Sequence, residues 1–244
     1  MPGRQVPRTT WGMIDAREVR FPVATQDTRL LLAGFTGPTE AVRPLIPGDA
    51  LQLVEVSPGR ASLMLVLAHH LRSDIGPFCA ASLTTVVVPC GSDAADEAGH
   101  FVCAGATADT FQNELMYWAF GMPHESDGVH ATYDGTEVAF RVACAGDESL
   151  AVSLRRPPDT TPPATTMTRN YGLIDDDIYV IPLVVTSAPA PVDPASVRLT
   201  VGTGPLAEAL RHVGFPAASP EWRWAEACQI TSRLPLRRSG ARRR

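Results

Sequence analysis

The stretch His130-Ala-Thr-Tyr-Asp-Gly-Thr-Glu-Val-Ala-Phe-Arg-Val-Ala-Cys144 reads as a β-hairpin. Asp134-Gly135 is a two-residue pair that tolerates the positive φ angles of a tight turn, and residues 130–133 and 136–144 flank it as strands. Working outward, the same kind of segment recurs: short, rich in β-branched residues and bounded by Gly, Pro or Asp. Upstream lie residues 30–35, a pair at 51–56 and 61–68 joined by Ser57-Pro-Gly-Arg60 as a second hairpin, then 81–89 and 100–104. Downstream lie residues 150–154, 178–186, 197–201 and 225–232.

Helices are few. Residues 39–45 form a short one stopped by Pro47. A second is capped by Asp109, with Gln112 three residues on and Phe111, Leu115 and Trp118 expected on one face. The third, 205–213, carries Pro205 in its first turn, Leu206, Leu210 and Val213 on one face and Gly214 as its stop. Arg156-Pro-Pro-Asp-Thr-Thr-Pro-Pro163 and Ser187-Ala-Pro-Ala-Pro191 are extended loops within the domain, because strands continue on both sides. The expected class is α+β: a mainly antiparallel, strongly curved, barrel-like sheet with a few helices. One domain spans residues 21–235, with an N-terminal arm at 1–20 and a disordered basic tail at 236–244.

The 244 residues include no lysine, so all 21 basic residues are arginine. Lysine is the side chain whose amine becomes nucleophilic on burial, and arginine stays protonated. Schiff-base chemistry on a lysine, a lysine-anchored pyridoxal phosphate and a P-loop are therefore excluded. A net charge of −5 gives the whole chain no footprint for nucleic acid or membrane, leaving only the arginine-rich tail as a basic run. Cys79, Cys90, Cys103, Cys144 and Cys228 are scattered without metal-ligand spacing, as expected of a reduced, cytoplasmic chain. The first residues lack a signal peptide's apolar stretch, and no segment has the apolar length of a membrane span.

Phe120-Gly-Met-Pro-His124, at the end of the second helix, resembles the G-x-P-K signature of the acetoacetate decarboxylase family. Further segments follow in that family's order. Phe35-Thr-Gly-Pro-Thr-Glu-Ala-Val-Arg-Pro-Leu-Ile-Pro47 is similar to its strand, short helix and proline stop. Arg169-Asn-Tyr-Gly-Leu173 with Tyr179-Val-Ile-Pro182 resembles its late Asn-Tyr segment, and Gly202-Thr-Gly-Pro-Leu-Ala-Glu-Ala-Leu210 with residues 226–235 its last helix and strand. The resemblance covers roughly residues 28–235 and implies a curved barrel around an apolar cavity, often assembled as an oligomer.

The family's catalytic pattern does not carry over. Its Schiff-base lysine falls at His124, the Gly-Arg-Glu before the signature is Met116-Tyr117-Trp118, and its cavity glutamate falls on Ala80 or Ala81. Of its polar cavity groups an arginine survives, as Arg29. Acetoacetate decarboxylation through an imine is thereby excluded.

The remaining candidates are neutral or aromatic. His124 is the foremost: an imidazole moves protons near neutral pH or polarises a carbonyl by donating a hydrogen bond, and the alternative is a polar residue that fills space. Glu125 is either its orienting partner or an exposed loop carboxylate. His69 and His70 sit on one strand and so point to opposite faces, which argues against shared ligation of a metal. Arg29 is either a clamp for an anionic oxygen or one half of a rim ion pair. Tyr117, Trp118, Phe120, Met122 and Phe78 either line an apolar substrate pocket or belong to the core. Asp175-Asp-Asp177 lacks the glycine and terminal glutamate of a calcium loop and reads as a solvated turn. Gly202-x-Gly204 lacks the third glycine of a dinucleotide loop, and no nucleophile elbow occurs.

These readings converge on a cofactor-free enzyme of specialised, polyketide-type metabolism. It acts on a small molecule, a β-dicarbonyl or polyene intermediate, by non-covalent cyclisation, isomerisation or dehydration. The alternatives are a decarboxylase or carbon–carbon hydrolase with His124 as acid, and a non-catalytic small-molecule carrier. A homo-oligomer is expected, with no metal, nucleic acid or membrane partner.

Overall fold

The computed structural model describes residues 8–126, 128–144, 146–158, 162–216 and 220–238. Its strands are β1 (Thr9–Ile14), β2 (Arg17–Phe21), β3 (Val23–Pro38), β4 (Leu51–Leu53), β5 (Glu55–Ser57), β6 (Arg60–Ser73), β7 (Phe78–Pro89), β8 (Gly99–Thr107) and β9 (Glu125–Ser126). They continue as β10 (Gly128–Asp134), β11 (Glu137–Cys144), β12 (Asp147–Arg155), β13 (Ala164–Ile174), β14 (Asp177–Ser187), β15 (Ala190–Pro191), β16 (Arg198–Val201), β17 (Glu221–Ser232) and β18 (Leu236–Arg238). The α-helices are α1 (Thr39–Val42), α2 (Ala94–Glu97), α3 (Thr110–Phe120) and α4 (Pro205–His212).

Seven long strands close into a barrel in the order β17-β3-β6-β7-β8-β13-β14, and β14 pairs back onto β17. All neighbours are antiparallel except β8 and β13. Strands β10-β11-β12-β16 form a second sheet. Side chains alternate along each strand, so the pairing register divides the barrel residues into two faces. Leu31, Leu65, Leu67, Ala81 and Leu83 are inaccessible to solvent and pack against Val138, Phe140, Val142, Leu150 and Val152 of the second sheet. Each of these larger side chains contributes roughly 2 kcal/mol through burial.

The opposite face differs. Leu32, Met64, Val66, Ala80, Ser82 and Val86 are only partly buried. A sheet packed over one face of a closed barrel lies outside it, so the Leu31 face is the outer one and the opposite, only partly buried face is the lumen side.

The quoted hairpin forms as β10 and β11, with its turn one residue later than read: Asp134 pairs with Glu137, and Gly135, at φ 56°, turns with Thr136. The second expected hairpin is shorter than read. Only Glu55–Ser57 pairs across the Ser57–Arg60 turn, while Leu51–Leu53 pairs with β7, because Val54 separates the two strands. Residues 1–20, read as an arm, contain β1 and most of β2. Ile14, Val19 and Phe21 of this hairpin pack on α3 with Phe111, Leu115, Phe120 and Met122. Residues 236–238, read as the start of the tail, pair with β14 as β18; the rest of the tail and residues 1–7 lie outside the described residues. Asp175 and Asp176, at φ 49° and 68°, make the turn between β13 and β14. No described helix is long and apolar enough to cross a membrane.

Candidate functional site

Helix α3 aims the site. Asp109 caps it, its carboxylate accepting from the Phe111 N–H at 2.7 Å, and such a cap contributes about 1 kcal/mol. The buried face runs through Phe111, Leu115 and Ala119, a strict i, i+4, i+8 stripe. The helix ends at Gly121, left-handed at φ 61°, whose N–H bonds the Tyr117 carbonyl at 2.9 Å. The Gly121 carbonyl then accepts from Leu173 N–H on β13 at 3.0 Å. This contact exists because the neighbouring residue is Gly172: a Cβ there would stand 1.6 Å from the Phe120 carbonyl oxygen. The two segments that resembled family motifs thus interlock backbone to backbone.

Three residues past Gly121, His124 is followed directly by β9, which pairs in parallel with Ala106 and Thr107 of β8. The Cδ2–Nε2–Cε1 edge of its ring lies against Gly105, where a Cβ would come within 2.6 Å of Cδ2 and Nε2. Ser82 faces Gly105 across the β7–β8 ladder, and its Oγ is 3.1 Å from His124 Nε2. Nδ1 is buried and has no hydrogen-bond partner among the described residues. Burial pushes the imidazole pKa down to about 4, against a smaller opposing pull from the Met122 backbone. His124 is therefore neutral at physiological pH, and a neutral imidazole hydrogen-bonds to a carbonyl or hydroxyl without bringing charge into the lumen.

His124 and Arg29 lie on opposite faces of the barrel wall. Arg29 pairs with His69, and His69 with Cys79, in the register of the outer residues Leu31, Leu67 and Ala81. Ser82 pairs with Val66 in the inner register, together with Leu30, Ala68 and Ala80. Arg29 thus does not reach the lumen as a clamp. Its Nε meets Glu226 at 3.2 Å, and its guanidinium covers the Tyr133 ring at 4.2 Å, so the rim ion pair is the arrangement found. The lumen position in this strand falls on an apolar neighbour, Leu30. The family's glutamate position, whichever alanine takes it, is left without a carboxylate; Ala80 is the one that faces the lumen.

The histidine pair splits as strand alternation requires. His69 stacks on Tyr133, with Nδ1 at 2.9 Å from its hydroxyl, on the outer side. His70 is buried on the inner side, Nδ1 at 2.9 Å from Thr28 Oγ1 and its ring 4.2 Å from that of Phe78. Four residues of strand separate its cross-strand partner Phe78 from Ser82, about 13 Å, so His70 does not act on what His124 touches. Phe120 and Met122 belong to the core cluster around Phe21. Tyr117 and Trp118 do not line a pocket: they are 49% and 55% exposed and stack edge to face on the outside of α3. The inward helical face uses Ala119 where Trp118 was expected, because i+4 continues the stripe through Leu115 better than i+3. Glu125 is exposed. Among the described residues no three His, Cys, Asp or Glu side chains gather as a metal site.

Sequence reasoning missed Ser82 and Gly105. Neither stands in a motif; what marks them is the pairing register, which brings Ser82, Gly105 and His124 together from three elements.

The two buried imidazoles make an acid liability. In the unfolded chain each takes up a proton near pH 6.5, whereas folded His124 resists until about 4 and His70, desolvated and beside His69, until about 3. The unfolded state then holds more protons, so stability falls as pH drops below 6.5, by up to about 1.4 kcal/mol per unit for each group, and is full above that pH. Urea midpoints measured from pH 7.5 to 4.5 should fall accordingly, with a shallower decline in His124→Asn. An unchanged slope in that variant would show that His124 is not held neutral.

No protein-family model matches the sequence, and no curated protein matches it. Solved structures do resemble it. Acetoacetate decarboxylase from Legionella pneumophila superposes with a TM-score of 0.67 at 11% identity, over 99% of this chain and 93% of that one. The enduracididine biosynthesis enzyme MppR, complexed with the condensation product of pyruvate and imidazole 4-carboxaldehyde, gives 0.59 at 10% identity, over 90% of each chain. An acetoacetate decarboxylase-like enzyme from Sphingomonas wittichii RW1 gives 0.58 at 11%, over 95% and 99%. The chain has the acetoacetate decarboxylase-like fold.

Proposed function

We propose, taking that fold and its lysine-free lumen as the premise, that the chain is a cofactor-independent enzyme of specialised metabolism. It holds a β-dicarbonyl or polyene intermediate in the lumen and promotes its cyclisation, isomerisation or dehydration without a covalent intermediate. The observation that carries this reading is the neutral His124–Ser82 pair set into an otherwise largely apolar concave wall. Folding a flexible chain into a reactive conformer lowers a barrier by several kcal/mol with no nucleophile at all. The imidazole and hydroxyl then hydrogen-bond to a carbonyl whose oxygen gains charge, in a site where burial strengthens that interaction. MppR, described as an enzyme of enduracididine biosynthesis, places one similar barrel in natural-product metabolism. A cytoplasmic homo-oligomer remains part of the proposal.

The same imidazole weighs against decarboxylation or carbon–carbon hydrolysis with His124 as acid. With a pKa of about 4, roughly one molecule in a thousand is protonated at pH 7. The pH–rate profile of the natural substrate separates the two chemistries. A neutral hydrogen-bonding His124 gives a plateau from about pH 5.5 upward and a decline toward 4. A rate that instead rises steadily as pH falls from 7 to 5 would contradict the proposal and favour acid catalysis.

Gly105 is expected to be as sensitive as the pair itself. Gly105→Ala pushes a methyl group into the His124 ring, so turnover should fall at least tenfold while the far-ultraviolet circular dichroism stays unchanged. Wild-type turnover in that variant would mean that the ring position does not matter.

A further inference from the structure

A cavity lies on the Arg29 side of the barrel wall, where Glu226 pairs with that arginine. Its volume is about 550 Å³, within the range of small-molecule sites. Pro157, Pro158, Ala188 and Ala190 form apolar walls, and Arg156, Glu226 and Trp224 supply the polar part. Glu226 accepts from Arg156 Nη1 at 3.0 Å and from Trp224 Nε1 at 2.9 Å, and it forms an ion pair with Arg29, whose Nε is 3.2 Å away. Arg156 Nη2 bonds the Gly135 carbonyl of the hairpin turn. Arg156 Nε is buried, with no acceptor among the described residues. Asp27 acts on His69 and does not line the cavity.

Two guanidinium groups, those of Arg29 and Arg156, thus share Glu226, the one carboxylate that lines the cavity among the described residues, which leaves the cluster one positive charge in excess. The excess charge lies at a fixed guanidinium, between proline rings and an indole. We infer that this cavity is a binding site for a small organic carboxylate with a flat apolar body. The carboxylate would accept from the Nη hydrogens of Arg156 that Glu226 and Gly135 leave free, and the apolar body would lie between the prolines and Trp224. The site is independent of the lumen, since Trp224 and Glu226 are anchored on the outer face that carries Arg29.

The test uses the purified full chain, with benzoate as probe and benzamide as its uncharged isostere, read from the indole N–H signal of Trp224 by NMR. Benzoate should shift that signal saturably, and benzamide should bind at least tenfold more weakly. Arg156→Gln should weaken benzoate at least tenfold. Ala188→Phe, which fills the cavity and leaves the ion pairs intact, should do the same, and His124→Ala should leave binding unchanged. No saturable shift, equal binding of benzamide, or binding that survives Ala188→Phe would each overturn the assignment.

Discussion

His124→Ala lowers turnover of the natural substrate by roughly a hundredfold to ten-thousandfold, the range that a positioned proton-handling or hydrogen-bonding group supplies. The loss should fall on kcat, because the imidazole's contribution grows as charge develops on the substrate and is small in the ground state. His124→Gln, which keeps a donor and an acceptor, should recover part of the rate. Ser82→Ala should cost less than His124→Ala, since it removes the residue that orients Nε2 and leaves the imidazole in place. If His124→Ala turns over at the wild-type rate with its fold intact, the lumen imidazole is only a space-filling residue. If ligand affinity persists in a protein that never shows turnover, the chain is a carrier.

Gly172→Ala destabilises the protein by at least ~3 kcal/mol, at the upper end of what overpacking costs. The added methyl would sit 1.6 Å from the Phe120 carbonyl oxygen and 2.7 Å from its carbonyl carbon, both backbone atoms that no rotamer change can move. The end of α3 must then lift from β13, loosening the segment that carries His124. For a chain of this size the melting temperature should drop by roughly 6–12 °C. Gly12→Ala, which meets nothing within 4 Å, is the control and should stay within about 0.5 kcal/mol of the parent. A Gly172→Ala protein as stable as that control would mean the helix–strand contact is not as close as described.

The sequence made the barrel legible because turn chemistry and strand composition agree along most of its length. Asp134-Gly135 marks its hairpin to within one residue, and the Asp109 cap starts α3 where the sequence places it, with residues 120–124 at its end. Long-range register was not legible, since nothing local fixes which residue of one strand faces which of another. That is why Arg29, one residue away from the inward position, was a candidate for the lumen while it belongs to the outer face. It is also why Ser82, a serine in a plain apolar strand, gave no sign of meeting His124. Residues 1–20 read as an arm because Trp11, Ile14 and Val19 are too sparsely spaced to signal a strand, and only docking on α3 accounts for them. Trp118 shows the limit of helical periodicity: Leu115 is compatible with either i+3 or i+4 as its inward neighbour, and packing selects Ala119.

The most direct measurement is mass spectrometry of the metabolites that accumulate in the native host when the chromosomal gene carries His124→Ala, beside a full deletion. A non-covalent cyclase, isomerase or dehydratase predicts the same accumulated compound in both strains, either an isomer of the final product or that product plus one water. A compound heavier by one carbon dioxide would contradict the proposed reaction class. A full deletion that accumulates nothing would contradict catalysis altogether.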